Sequence, residues 1–290
     1  MKLQLEEIGH HFTTKKTVRK KKNSIPILKN TKNKILSIQF NLDGFSFSIK
    51  DSISKKDIHF CAYQFEKTQQ NPENLLSEIE AIFKNDTHLQ QDFDNVEVIH
   101  QNNLFTIVPN EYFNEKNLTS YLNFNIKVLA TDFIAFDDLE SNDAKNIFVP
   151  YININNYLFN NFGEFEYKHH NTLLIDKFTQ KNNKEQKAMF VNVSKTTLDI
   201  VVLEKKQLIL SNSFTYHSKE DFLYYVLFVA EQLQLNTNEF PLHLTGEISV
   251  ESDIYKLIYK YIKNVSFLES NNTIFNKLDL QKHANFILLG

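Results

Sequence analysis

The stretch Val191–Val201, VNVSKTTLDIV, sets Lys195 beside the hydroxyls of Thr196 and Thr197 between two apolar runs. A cation and two hydroxyls at a bend can meet an anion such as phosphate, with Lys acting as a point charge. The same residue types also make an ordinary polar β-turn, with Thr196, Thr197 and Asp199 kept for β-propensity and turn bonding. Other candidates are sparser. His59 and Cys61 are two apart, so a strand would put them on one face as two metal ligands, but no second pair has matching spacing. Cys61 lacks a local His/Asn context for nucleophilic work. Asp137, Asp138 and Glu140 form an acidic patch that reads as a solvated face rather than an acid/base pair. His10-His11 and His169-His170 have no Cys or acid cluster beside them in sequence. Tyr255, Lys256, Tyr259 and Lys260 repeat every four residues. That spacing could interleave aromatic and basic contacts to RNA, but it reads as an amphipathic helix with tyrosines packed and lysines outward.

These residues must be positioned by regular elements. ILSIQFNLDGFSFSIKD reads as two strands around an Asp43-Gly44 turn, and DIHFCAYQFEK as a third strand. NPENLLSEIEAIFKND follows as a helix, with Asn71 as cap, Pro72 at the first position and Leu75, Leu76, Ile79, Ile82 and Phe83 on one face. NVEVIHQ and LFTIVP read as strands, NEKNLTSYLNF as a helix, and ATDFIAFDD and KNIFVPYI as extended chain. The polar segment 179–187 is the best candidate boundary. After it, AMFVNVSKTTLDIVVLEKKQLILSNSFTY supplies three strands. A helix capped by Ser218 with Asp221 in its first turn comes next, then a strand ending at Gly246, a helix over ESDIYKLIYKYI, and a strand at VSFLES. Both halves thus begin strand–strand–strand–helix–strand, which predicts two α/β lobes with mixed sheets covered by helices.

Composition narrows the function classes. The chain has 290 residues, 42% of them hydrophobic, enough for about two domains with buried cores. No run of about 18 apolar residues argues for a membrane span, and the first residues lack the apolar core of a signal peptide. A single cysteine excludes an internal disulfide framework, and a reducing cytoplasm is the expected home. Arg19 is the only arginine. Bidentate guanine readout uses the planar Arg fork, so sequence-specific DNA recognition is disfavoured. Residues 1–34 hold ten Lys/Arg against Glu6 and Glu7, a net of +8. The whole chain is −3, so the remainder is −11. Such a run predicts a solvated, flexible tail, with Lys15, Lys16, Arg19, Lys20, Lys21 and Lys22 available to RNA or an acidic partner.

Three segments, in order and spacing, resemble the nucleotide motifs of the actin, Hsp70 and sugar-kinase superfamily. VNVSKTTLDIV is similar to its second phosphate hairpin, Asp–Ile–Gly–Gly–x–Thr–Thr–Asp–Ile. Asn192 takes the Asp place, Ser194 and Lys195 the glycine places, and Thr196, Thr197, Asp199 and Ile200 are kept. LHLTGEI resembles the adenosine-contact motif, with Gly246 kept and Glu247 in place of the second glycine. IQFNLDGFSFSI is a looser match to the first phosphate hairpin, with Asn41 at the Asp place ahead of Asp43 and Gly44. The pattern also resembles an uncharacterised family of actin-like proteins. The resemblance implies two actin-like (ribonuclease H-like) lobes, 35–180 and 181–290 after the 1–34 tail, each a mixed five-stranded sheet flanked by helices.

The same resemblance implies what has been lost. In the family, backbone N–H groups of two hairpins cradle ATP, and glycines permit the close approach. Carboxylates at the hairpin starts position Mg²⁺ or its waters. Here the chain has five glycines, of which Gly44 and Gly246 lie in the motifs, Asn192 is neutral, and Ser194 and Lys195 add side chains. Each missing transition-state contact costs about 3–4 kcal/mol. The expectation is a catalytically inert scaffold or protein-interaction module with no required cofactor. The alternatives are a weak ATP-binding switch and an RNA-associated accessory protein using the basic tail.

Overall fold

The computed structural model describes residues 17–18, 33–182 and 186–290. The basic residues Lys15, Lys16, Arg19, Lys20, Lys21 and Lys22 therefore lie outside the described residues, as do 183–185 of the expected boundary segment.

In chain order, the strands and helices of the first half begin with a two-residue strand β1 (Thr17–Val18). It is followed by β2 (Lys34–Asn41), β3 (Gly44–Asp51), β4 (Asp57–Gln64), α1 (Pro72–Asn85), β5 (Asn95–His100), β6 (Phe105–Pro109), α2 (Leu118–Leu122), β7 (Ala135–Leu139), β8 (Ala144–Phe148), α3 (Ile152–Phe162) and β9 (Phe165–His169). The second half has α4 (His170–Lys181), β10 (Lys187–Val193), β11 (Thr197–Glu204), β12 (Gln207–Thr215), α5 (Lys219–Gln232), β13 (Pro241–Gly246), α6 (Asp253–Tyr261), β14 (Asn264–Phe267), α7 (Ile274–Leu278) and α8 (Phe286–Leu289). Two compact units result. One holds the described residues up to Phe105 with Asn114–Asp137 and Ile147–His170. The other holds Thr106–Phe113, Asp138–Asn146 and Asn171–Gly290.

The two large sheets are wired alike. In the first unit β9, β5 and β2 run parallel, β3 and β4 continue antiparallel, and β1 adds to the β9 edge, giving β1-β9-β5-β2-β3-β4. In the second unit β14, β13 and β10 are parallel and β11 and β12 antiparallel, giving β14-β13-β10-β11-β12. A third, three-stranded sheet has the order β6-β8-β7. The duplicated order expected from the sequence is thus a duplicated topology, two mixed sheets each crossed by helices.

Local chemistry explains the elements. Asn71 accepts from the Asn74 N–H to cap α1, with Pro72 at its start, and Leu75, Ile79, Ile82 and Phe83 are buried. Ser218 and Asp221 form a reciprocal capping box at α5. In the second unit one face of the sheet (Met189, Val191, Val193, Leu198, Ile200, Val202, Leu242, Leu244) packs on Phe222, Val226 and Val229 of α5 and Ile258 of α6. On Phe190, Phe178 of α4 stacks at 4.9 Å, and Phe286 stacks on Phe178 at 5.6 Å.

Two expectations change. The helix expected over NEKNLTSYLNF is reduced to the five residues of α2, preceded by a 3-10 turn that Asn114 caps through the Lys116 N–H. In α6, Tyr255 packs on the core, but Tyr259 is exposed and stacks on Tyr255 at 5.9 Å. Among the described residues no helix is long and apolar enough to cross a membrane.

Candidate functional site

The VNVSKTTLDIV segment folds as expected, with β10 running into β11 through a bend at Ser194–Thr196. The bend is closed from within. The Ser194 N–H donates to the Thr197 carbonyl at 2.9 Å. The Tyr216 N–H donates to the Thr196 carbonyl at 3.0 Å, and the Tyr216 hydroxyl to the Ser194 carbonyl at 2.6 Å. Ser194 is buried, Lys195 is exposed, and Thr196 and Thr197 are half-buried. Of Ser194 and Lys195, only Lys195 is presented to solvent.

Below the bend, Asn192 of β10 and Asp199 of β11 are directly opposite in the ladder, and both are almost fully buried. Asn192 Nδ2 donates to Asp199 Oδ2 at 3.0 Å, while Ser213 Oγ of β12 donates to Asp199 Oδ1 at 2.5 Å. Asn171 Nδ2 donates in turn to Ser213 Oγ at 3.1 Å. On the other side Thr245 of β13, the register partner of Asn192, donates its hydroxyl to Asn192 Oδ1 at 3.3 Å. The carboxamide thus bridges a carboxylate and a hydroxyl, which a carboxylate at the same position could not do, since it has no proton to donate. Thr245, Ser213, Asn171 and Tyr216 are members that sequence reasoning missed. Thr245 precedes Gly246 in LHLTGEI, but only the β10–β13 register shows which residue it meets.

Gly246 ends β13 with φ +87°, and a Cβ there would lie 2.1 Å from the Val193 carbonyl oxygen. Its N–H donates to the His283 carbonyl, and the next N–H, of Glu247, donates to the Val193 carbonyl at 2.7 Å. Glycine is needed because β10 backbone occupies the side-chain position. His283 Nε2 bonds the Ile248 carbonyl at 2.6 Å, the ring stacks on Phe267 at 4.1 Å, and burial holds the imidazole below its ordinary pKa.

The first-unit hairpin is also closed by its own side chains. Asn41 and Gly44 are paired across a two-residue turn, and Asn41 Oδ1 accepts the Asp43 N–H at 2.8 Å. Asn41 Nδ2 donates to Gln101 Oε1 at 3.0 Å. Asp43 is buried and its carboxylate accepts from the Thr68 hydroxyl at 2.6 Å. The Phe65 and Gln69 N–H groups close on the Asp43 and Leu42 carbonyls. A Cβ at Gly44 would stand 2.7 Å from the Tyr63 carbonyl oxygen.

Among the other residues, one reading changes. Asp137 is buried and accepts the His169 N–H at 2.8 Å, whereas the exposed Asp138 pairs with Lys145. The acidic patch is therefore not uniformly a solvated face. Buried His100 accepts the Tyr151 N–H on Nδ1 and so donates from Nε2 to Asn155 Oδ1 at 2.9 Å, a neutral tautomer fixed by two neighbours. His59 and Cys61 do share a face of β4, where His59 stacks on His88 at 4.0 Å. Among the described residues no three His, Cys, Asp or Glu side chains are placed to hold a metal ion.

Comparison with known proteins places this geometry. A Bacteroides thetaiotaomicron protein with actin-like ATPase fold and unknown function is 27% identical, at a TM-score of 0.75 over 88% of this chain and 98% of that one. A chain of the PilM-PilN type IV pilus biogenesis complex aligns at a TM-score of 0.56 with 9% identity, over 81% of this chain and 88% of that one. No curated protein matches the sequence. The fold is the actin-like ATPase fold, as the motifs implied. A family model matches residues 24–265, and the chain belongs to that family, described as Protein of unknown function (DUF3822).

Proposed function

We infer that the chain is a non-catalytic actin-like scaffold or protein-interaction module, cytoplasmic, in which the hairpins of an ancestral ATPase have been turned into structural turns. One observation carries this reading: Asn192, at the place of the acid in the actin, Hsp70 and sugar-kinase motif, is neutral, buried and engaged with Asp199 and Thr245. It supplies no negative charge to Mg²⁺ and no base to a water. Ser194 and Lys195 put side chains where backbone would approach phosphate, and the Ser194 and Tyr216 N–H groups are already bonded within the bend. These residues do not fit a Mg-ATP apparatus, and no catalytic step is assigned to them. The PilM-PilN complex is a case in which a chain of similar fold assembles with a protein, and that supports a protein partner here.

The test is thermal denaturation of the purified chain with millimolar Mg-ATP or Mg-ADP. No shift is expected. A second reading, a weak nucleotide-binding switch, draws on the exposed Lys195 at the bend. It predicts a shift that Lys195→Glu abolishes, and that result would replace the first reading. The RNA-associated reading rests on 1–34. It predicts binding to single-stranded RNA that falls steeply with salt and disappears when those residues are deleted.

A further inference from the structure

A surface helix normally keeps one face polar, and a helix that is apolar on every side belongs in an interior. α5 departs from this. Phe222–Ala230, FLYYVLFVA, is apolar or aromatic throughout. Phe222, Leu223, Val226, Val229 and Ala230 are buried in the core of the second unit. The opposite face carries Tyr224 at 60% exposure and Phe228 at 41%, stacked on each other at 5.9 Å. Tyr225 meets Tyr224 at 5.4 Å and stacks on Phe214 of β12 at 4.6 Å, so the exposed pair rests on an aromatic bed. Glu220 lies four residues before Tyr224 and Glu231 three after Phe228, which puts both on the same face. Both are exposed, and neither pairs with a cation among the described residues. The adjacent Lys219 pairs instead with Asp253 of α6 at 3.9 Å.

The geometry points to a basic amphipathic helix of another protein as the cover of this face, its apolar ridge on Tyr224 and Phe228 and a Lys or Arg opposite each glutamate. Exposed apolar patches rimmed by polar residues mark interaction surfaces, and aromatic side chains are frequent anchors there. Charge selects the occupant. Glu220 and Glu231 repel nucleic acid and anionic lipid. A second α5 lying along this one, in either direction, sets glutamate against glutamate. A cationic helix satisfies both acids at once. Glu220 and Glu231 are 11 positions apart, about 16 Å along the axis at about 1.5 Å per residue. A helix lying nearly along α5 has the same rise, so bases at the same spacing reach both acids. This rests on the reading of the chain as a protein-interaction module and gives its partner a chemistry.

The test uses the full chain, which has no tryptophan, so the emission of a single Trp in a probe peptide reports binding alone. The probe is a synthetic helix with Lys at the spacing of the two glutamates and Leu and Trp between them. Its twin has Glu in place of Lys. The Lys probe should bind saturably in the micromolar range, and the Glu twin about tenfold or more weakly. Tyr224→Ala with Phe228→Ala should raise the dissociation constant about tenfold or more. Glu220→Lys with Glu231→Lys should reverse the preference between the two probes. All four side chains are exposed, so thermal melts of the variants should match wild type, which separates binding from folding. No saturation by either probe up to hundreds of micromolar overturns the proposal. So does equal binding of both probes, or binding that the variants leave unchanged. Self-association abolished by Tyr224→Ala with Phe228→Ala would assign the face to a second copy. Probe binding seen only after deletion of 1–34 would assign it to that segment, and either result overturns a separate partner. The Mg-ATP melts decide the non-catalytic reading independently of all these outcomes.

Discussion

Placing at position 192 the acid of the actin, Hsp70 and sugar-kinase motif should damage this protein rather than make it an ATPase. Asn192 Nδ2 lies 3.0 Å from Asp199 Oδ2, and the two residues are 3% and 1% exposed. Asn192→Asp replaces that donor with a second carboxylate oxygen. Two unit charges about 4 Å apart repel by about 4 kcal/mol at an effective dielectric of about 20. The alternative is to protonate one carboxyl and share the proton. Starting from an ordinary carboxyl pKa, that costs about 4 kcal/mol at pH 7 and about 1.5 kcal/mol at pH 5, at about 1.4 kcal/mol per pH unit. Either route destabilises the variant by about 3–4 kcal/mol at pH 7. The shared proton raises a folded-state pKa above its unfolded value, so the defect relative to wild type shrinks as pH falls toward 5. Urea unfolding of both proteins at pH 5 and pH 7 measures this. A difference under about 1 kcal/mol at pH 7, or one equal at both pH values, refutes the reasoning. So does rescue of the variant by millimolar Mg²⁺, because the paired carboxylates would then be a metal site.

Gly246→Ala should cost more than about 3 kcal/mol or prevent folding, since its Cβ would lie 2.1 Å from the Val193 carbonyl at φ +87°. A circular-dichroism melt of any soluble protein decides the point, and a loss below about 1 kcal/mol contradicts the packing. Lys177→Met removes charge-assisted bonds from Nζ to the carbonyls of Phe286, Ile287 and Gly290, at 2.8–3.1 Å, and should lower stability by about 2–3 kcal/mol in urea. A change under 0.5 kcal/mol would show that the C-terminal turn does not need that cation. Burial lowers the pKa of both His59, beside His88, and His283. The unfolded chain then takes up protons first as pH drops below about 6.5, so stability is full above that value and falls below it. The double variant His59→Gln/His283→Gln should flatten this acid limb, and an unchanged limb would exclude the two rings as its source.

Much of the fold was legible because its determinants are local. Asn71 with Pro72, and Ser218 with Asp221, announce α1 and α5 through side chains that bond the adjacent backbone. The apolar runs around Asp43-Gly44 and Ser194–Thr196 announce two hairpins, and their repetition announces two like-wired sheets. The Asn-rich stretch after Phe113 misled because Asn114 favours a turn over a long helix. The candidate site was legible only in its hairpin members. That Asn192 is held between Asp199 and Thr245 depends on three strands in register, β11, β10 and β13, with Thr245 53 positions from Asn192. Likewise, Asp137 and Asp138 look alike in sequence, but alternation along β7 buries one and exposes the other.

The central claim, that the hairpin carrying Asn192 in place of an acid performs no phosphoryl chemistry, is tested most directly by steady-state phosphate release from Mg-ATP by the full chain. The account predicts release indistinguishable from a protein-free control at every protein concentration. Sustained release that scales with protein and is abolished by Lys195→Glu would contradict it.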